Sequence, residues 1–180
     1  AYARVTPGEP PRITRYWDPR DVVEAGTRAP STLDDASAVE ELDHLLRDAT
    51  RRRMVADVPL GAFLSGGIDS SAVVSLMQAE STRPVRTFTI GFDEAGYDEA
   101  QDARAVAAHL GTAHTELHVT AEDARAVIPR LGRMFDEPFA DSSQIPTFLV
   151  AQMARRDVTV AVSGDGGDEV FGGYNRYLFA

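Results

Sequence analysis

The chain has 180 residues and a formal net charge of −10, long enough for one domain with a hydrophobic core. It has no cysteine, and all 18 of its basic residues are arginine. Disulfides, thiolate metal sites, a cysteine nucleophile and lysine chemistry are thereby excluded within the chain, as is a Walker-type phosphate loop with its lysine. The excess of acid argues against nucleic acid as a partner, and no apolar run is long enough to span a bilayer. The cysteine-free composition favours a reducing, cytoplasmic setting as the expectation. The first residue is Ala1, so a fragment or a processed product is expected.

Residues 1–36 carry Pro7, Pro10, Pro11, Pro19 and Pro30 with little periodicity. They read as an extended linker with one short strand. The globular part is expected over 37–180. Ser37-Ala38-Val39-Glu40 has the form of a capping box. Val39, Leu42, Leu45, Leu46 and Ala49 follow at helical spacing, in a helix expected to end before Pro59. Arg51, Arg52 and Arg53 lie near its end, where cations suit the macrodipole. Strands are expected at 61–64, 85–92, 114–119 and 158–162. Helices are expected at 69–80, 98–110, 121–135 and 143–156. Gly111 closes the second of these, Pro129 kinks or splits the third, and Pro146 lies in the first turn of the fourth. A glycine-rich loop at 163–167 leads to another helix start at Asp168. Alternating strands and helices imply an α/β fold, a parallel sheet with helices on both faces. Ligands in such sheets sit at the carboxyl ends of strands.

Two glycine-rich loops leave such ends. The first is Ser65-Gly66-Gly67-Ile68-Asp69-Ser70. Adjacent glycines let the backbone approach an oxyanion, and the following helix aims unpaired N–H groups at the same point. Ser65, Ser70 and Ser71 add hydroxyls, and Asp69 offers a ligand to a phosphate-bound Mg²⁺. The alternative is a plain strand-to-helix turn capped by Asp69 and Ser70. The second loop, Ser163-Gly164-Asp165-Gly166-Gly167-Asp168-Glu169, holds three glycines and three carboxylates. Acids so crowded repel one another unless solvated or sharing a cation. Mg²⁺ shared with ATP is such a cation, and a solvated acidic loop is the alternative. His114 and His118 lie on one face of a strand without an evident third ligand. The second loop lacks the central serine of a hydrolase elbow.

Ser-Gly-Gly-x-Asp-Ser after an apolar strand resembles the pyrophosphate loop of the N-type ATP pyrophosphatases, a superfamily that adenylates carboxylate or carbonyl oxygens. The second loop resembles the glutamine-hydrolysing asparagine synthetase family more closely. So do Val58-Pro59-Leu60-Gly61, Thr87-Phe88-Thr89-Ile90-Gly91-Phe92 and Asp136-Glu137-Pro138-Phe139-Ala140-Asp141-Ser142-Ser143. Arg15-Tyr16-Trp17-Asp18-Pro19 is similar to the connector from that family's glutaminase domain. The resemblance covers nearly the whole chain. It implies an adenine nucleotide alpha hydrolase-like (PP-loop) fold and an ATP-dependent carbon–nitrogen ligase. The implied reaction amidates L-aspartate through β-aspartyl-AMP, with ammonia from a glutaminase domain. A relative that adenylates another carboxylate, of β-lactam synthetase or peptide-cyclase type, is the alternative, as is a nucleotide-binding module without catalysis.

By the same resemblance, Ser65, Gly66, Gly67, Asp69 and Ser70 bind pyrophosphate, and Asp69 and Asp168 ligate Mg²⁺. The backbones near Phe63 or Leu64, at Ile90, and at Ser163 and Gly164 frame the adenosine of ATP. Asp165 matches a catalytic acidic position near the aspartate and the incoming ammonia, with a reach one methylene shorter than the glutamate of some relatives. Asp141, Ser142 and Ser143 either contact substrate or cap the helix that follows. The family's cysteine nucleophile and a later lysine are absent from this sequence, so the expected piece is a nucleotide-binding part without catalytic activity of its own.

Overall fold

The computed structural model describes residues 1–92, 99–175 and 177. Strands β1 (Tyr2–Arg4) and β2 (Arg12–Thr14) pair antiparallel, with Ala3 opposite Ile13. Helix α1 (Pro19–Arg28) follows, where only linker was expected. Its signal was in the sequence. Asp18 caps the helix by accepting from the Arg20 N–H at 3.0 Å, and Pro19 fills the first position, where no donor is needed. Helix α2 (Asp35–Arg53) starts before the expected capping box. Asp34 takes the capping role, accepting from the Ser37 N–H at 2.8 Å, so Ser37 lies inside the first turn. The three arginines end this helix, with Arg52 paired to Asp48 and Arg51 to Glu80. The chain divides into two units, Ala1–Leu42 and Asp43–Ala180, and the division falls within α2.

The second unit alternates β3 (Leu60–Phe63), α3 (Ile68–Glu80), β4 (Arg86–Phe92), α4 (Ala100–Leu110), β5 (Ala113–Val119), α5 (Ala121–Leu131), α6 (Gln144–Ala154), β6 (Val160–Val162) and α7 (Gly167–Phe171). The strands form one parallel sheet in the order β5-β4-β3-β6. The order reverses at β3, which places β3 and β6, the strands leading to the glycine-rich loops, side by side.

Alternation along β3 divides the core. Ala62 and Leu64 pack with Val74, Met77, Ala103 and Ala107 of α3 and α4. Phe63 points the other way, with Phe88, Val150 and Met153, on the α6 side. A third cluster, Val119, Val127 and Leu149, joins β5 to α5 and α6. Helices cover both faces, as expected.

Helix α5 departs furthest from its expected bounds. Helix α5 carries Pro129 without dividing and stops at Leu131, short of the expected Phe135. The missing proline donor falls close to the helix end, where little remains to be broken. Gly111 closes α4 in the left-handed region at φ 71°. The expected opening of that helix at Asp98 lies outside the described residues. Among the described residues no helix is long and apolar enough to cross a membrane.

The polar positions of β4 and β5 have a pH-dependent consequence. Thr87 is fully buried, and its hydroxyl lies 2.9 Å from both Thr112 Oγ1 and His114 Nδ1. Among the described residues His114 Nε2 is buried without a hydrogen-bond partner. Burial pushes the His114 imidazole below its ordinary value of 6.5, opposed by Glu116 and aided by Arg104. The folded pKa is the lower one, so the unfolded chain binds the proton first as pH falls. This contribution to stability is complete above about pH 6.5 and is lost as pH falls through the folded value. Thermal melts between pH 5 and 7.5 test this, as about the range over which imidazole titrates. Wild type should lose stability at the acid end, and His114→Gln should lose less.

Candidate nucleotide site

The first loop is held by its own serines. Ser70 Oγ lies 2.9 Å from Ser65 Oγ, accepts from the Ser65 N–H at 3.2 Å and donates to Gly67 O at 3.2 Å. Ser65 Oγ accepts from the Gly67 N–H at 3.2 Å. Gly66 turns the chain at φ +84°, and a Cβ there would sit 2.7 Å from the Ala103 backbone nitrogen. Gly67 is the N-cap of α3, so no side chain closes that helix. Its first backbone N–H groups remain available to an anion. Asp69 and Ser70 are inside the helix and do not cap it, contrary to the capping role that the plain-turn alternative gave them.

The second loop docks onto the first. A Cβ at Gly164 would lie 2.7 Å from the Ser70 nitrogen and 2.9 Å from the Asp69 carbonyl carbon. A Cβ at Gly167 would overlap the Asp69 carboxylate, and one at Gly173 would overlap that of Asp168. Gly164 and Gly167 allow backbone from the loop after β6 and from the start of α7 to lie against the start of α3. Gly166, at φ 97°, makes the turn between them.

Two clefts open along this junction. The polar one, about 590 Å³, is lined by Ser65, Asp69, Ser70, Ser163, Gly164, Asp165, Gly167 and Asp168 among others. The apolar one, about 320 Å³, is lined by Phe63, Leu64, Phe88, Ile90, Phe92 and Val150, with Ser65 and Thr147. Phe63, Ser65, Thr147 and Val150 line both. All the residues expected from the sequence to touch nucleotide therefore line these clefts or, for Gly66 and Gly67, build the turn between β3 and α3. Leu64 is 1% exposed, with its side chain in the α3/α4 core, so it offers backbone.

Strand β4 also prepares an edge. Its last partner on β3 is Phe88, opposite Phe63, and Leu64 N donates to Phe88 O at 2.9 Å. Residues 89–92 continue beyond that point, paired only with β5. Alternation along the ladder turns the Ile90 N–H and C=O toward the vacated β3 side, beside the apolar cleft.

A divalent cation fits the donor set in one way. Asp69 and Asp168 share the polar cleft, but no group of three acids or histidines capable of holding a metal exists among the described residues. Mg²⁺ needs only one or two carboxylates when phosphate oxygens and water complete its shell. Asp165 is turned back on its own loop, accepting from Ser163 Oγ at 3.0 Å. Asp141 accepts from the Ser143 N–H at 2.8 Å, which holds its carboxyl below the usual range. Asp141 and Ser143 thus shape the start of α6 and line the polar cleft as well. His118 lies 2.8 Å from Glu116 and His114 bonds Thr87, so the two histidines are engaged separately.

Sequence reasoning missed Thr147 and Val150, which line both clefts, and Tyr174, which lines the polar one together with Glu169, the third carboxylate of the second loop. The helical spacing of Ser143, Thr147 and Val150 was the available signal for one face of α6. The Tyr174 hydroxyl donates to Glu169 at 2.8 Å.

Residues 41–180 match the family model described as asparagine synthase. The chain is 46% identical over 146 residues to a putative asparagine synthetase (glutamine-hydrolysing) 2 of Methanocaldococcus jannaschii, covering 81% of this chain and 28% of that protein. It is 40% identical over 148 residues to asparagine synthetase (glutamine-hydrolysing) 1 of Bacillus subtilis, covering 82% and 23%. The chain thus spans 23–28% of the length of these curated relatives. Among solved structures it is similar to the NMN synthetase of Francisella tularensis, with a TM-score of 0.50 at 16% identity, over 81% of this chain and 60% of that one. That likeness is one of fold.

Proposed function

We propose that this chain, which belongs to the asparagine synthase family, supplies the ATP site of an enzyme that amidates L-aspartate to asparagine. The observation that carries the reading is the docking of the two loops, which brings Asp69 and Asp168 into one cleft at an uncapped helix start. An apolar cleft adjoins it. The pair of clefts suits a purine nucleoside joined to a polyphosphate.

In this reading the aromatic and aliphatic walls at Phe63, Phe88, Ile90 and Val150 enclose the adenine. The Ile90 N–H and C=O meet the acceptor and donor of its edge. Backbone at Leu64, Ser163 and Gly164 borders the sugar and the α-phosphate. The N–H groups that open α3, with the Ser65 and Ser70 hydroxyls, hold the β- and γ-phosphates. Asp69 and Asp168 hold Mg²⁺, which when bound supplies positive charge to the departing pyrophosphate.

An oxygen of the aspartate β-carboxylate attacks the α-phosphorus. The bond from that phosphorus to the bridging oxygen breaks, and pyrophosphate leaves with the electron pair. The loop grips the leaving group where charge develops. Ammonia then attacks the acyl carbon of β-aspartyl-AMP, AMP departs, and asparagine forms. Asp165, which lines the polar cleft, in this reading leaves its bond to Ser163 and receives a proton from the attacking ammonia. The ammonia comes from glutamine, through a glutaminase domain of the same parent polypeptide.

Product analysis on the full-length polypeptide tests the reading. AMP and pyrophosphate should form in equal amounts, dependent on L-aspartate. Release of ADP and phosphate would contradict it. Turnover with another carboxylate in place of L-aspartate would reassign the acceptor.

A further inference from the structure

Glu99 places a carboxylate on the wall of the apolar cleft, near Phe92. It stands at the N-cap of α4 with φ −72° and ψ −7°, and its side chain makes no capping hydrogen bond. No ion pair or hydrogen bond of this carboxylate exists among the described residues. A carboxylate that neither caps its helix nor pairs with a cation, on the wall of an otherwise apolar and hydroxyl-bearing cleft, has only acceptors to offer. Glu99 is exposed to water, and a ligand seated beside it gains most by replacing that water with donors of its own.

The nucleotide reading proposed above supplies two sorts of donor, the ribose hydroxyls and the adenine amino group. The exposed Ile90 peptide edge already matches the base, which needs one donor and one acceptor. The ribose diol is left, and a carboxylate accepts from the ribose 2′-hydroxyl in dinucleotide-binding α/β folds. We propose that Glu99 binds the ribose 2′- and 3′-hydroxyls and makes the site selective for ribonucleotides. The inference rests on the assignment of this cleft to ATP.

Calorimetric titrations of this chain in Mg²⁺ with ATP, 2′-deoxyATP, 3′-deoxyATP and inosine triphosphate test it, on wild type, Glu99→Ala and Glu99→Gln. Wild type should bind ATP about tenfold more tightly than either deoxynucleotide, the loss of one charge-assisted hydrogen bond. Glu99→Ala should bind all three adenine nucleotides alike, more weakly than wild type binds either deoxynucleotide, because both hydrogen bonds are gone. Glu99→Gln, which keeps one acceptor oxygen, should recover part of the preference. Unchanged melting temperatures will show that the variants fold. Equal wild-type affinity for ATP and both deoxynucleotides would overturn the role of Glu99 and leave the ATP assignment standing. A Glu99→Ala loss shared equally by ATP and the deoxynucleotides, but absent for inosine triphosphate, would move the carboxylate to the base and overturn it too. Failure of wild type to bind any nucleotide would overturn both the inference and the assignment beneath it.

Discussion

Gly164→Ala should abolish measurable ATP binding while leaving the sheet folded. The new Cβ would stand 2.7 Å from the Ser70 nitrogen and 2.9 Å from the Asp69 carbonyl carbon. Both are backbone atoms at the start of a helix, so neither yields as a flexible side chain would. The second loop must lift away instead. Overpacking of this kind costs about 1–3 kcal/mol, a fall in Tm on the order of 5 °C. The larger effect falls on the ligand, because lifting the loop carries Asp168 away from Asp69. Calorimetry with ATP and a thermal melt on the same sample separate the two effects. A variant that binds ATP as wild type does would show that the loops do not act together.

Asp69→Asn should remove the dependence of ATP binding on Mg²⁺. The substitution keeps the size and one acceptor oxygen but deletes the charge that a hard cation requires. Asp69 is inside α3 and takes no part in capping it, so stability should change little. With Mg²⁺ present, affinity should fall by at least about tenfold, the scale of one lost charge-assisted contact. In EDTA, wild type and variant should converge. The same variant in the full-length polypeptide should lose pyrophosphate release.

The loops were legible in the sequence because their function depends on local chemistry. Gly66 needs a positive φ, Ser65 and Ser70 bond within six residues of chain, and Asp69 follows the turn directly. The sheet was legible because β3 is a short apolar run and β4 is rich in Thr, Ile and Phe, and both lie between helical periods. Helix α1 was overlooked because proline density was read as linker, although Asp18-Pro19 is a start signal. The contact of Gly164 with Ser70 joins residues far apart in the chain. No local pattern encodes it, and it depends on β6 lying next to β3. Thr147 and Val150 share a helical face with Ser143, but that spacing alone does not say what the face meets. Which face of α6 meets the clefts is set by its packing on Phe63 and Phe88, not by its own sequence. Glu99 escaped notice because an acid at a helix start looks like a cap, and only the geometry shows that it caps nothing.

The most direct test of the central claim is a calorimetric titration of wild-type chain with ATP, once in Mg²⁺ and once in EDTA. The account predicts saturable binding at one site in Mg²⁺ and a marked loss of affinity in EDTA. Folded chain that binds no ATP in either condition would contradict it, because the two docked loops would then not form a nucleotide site within these residues.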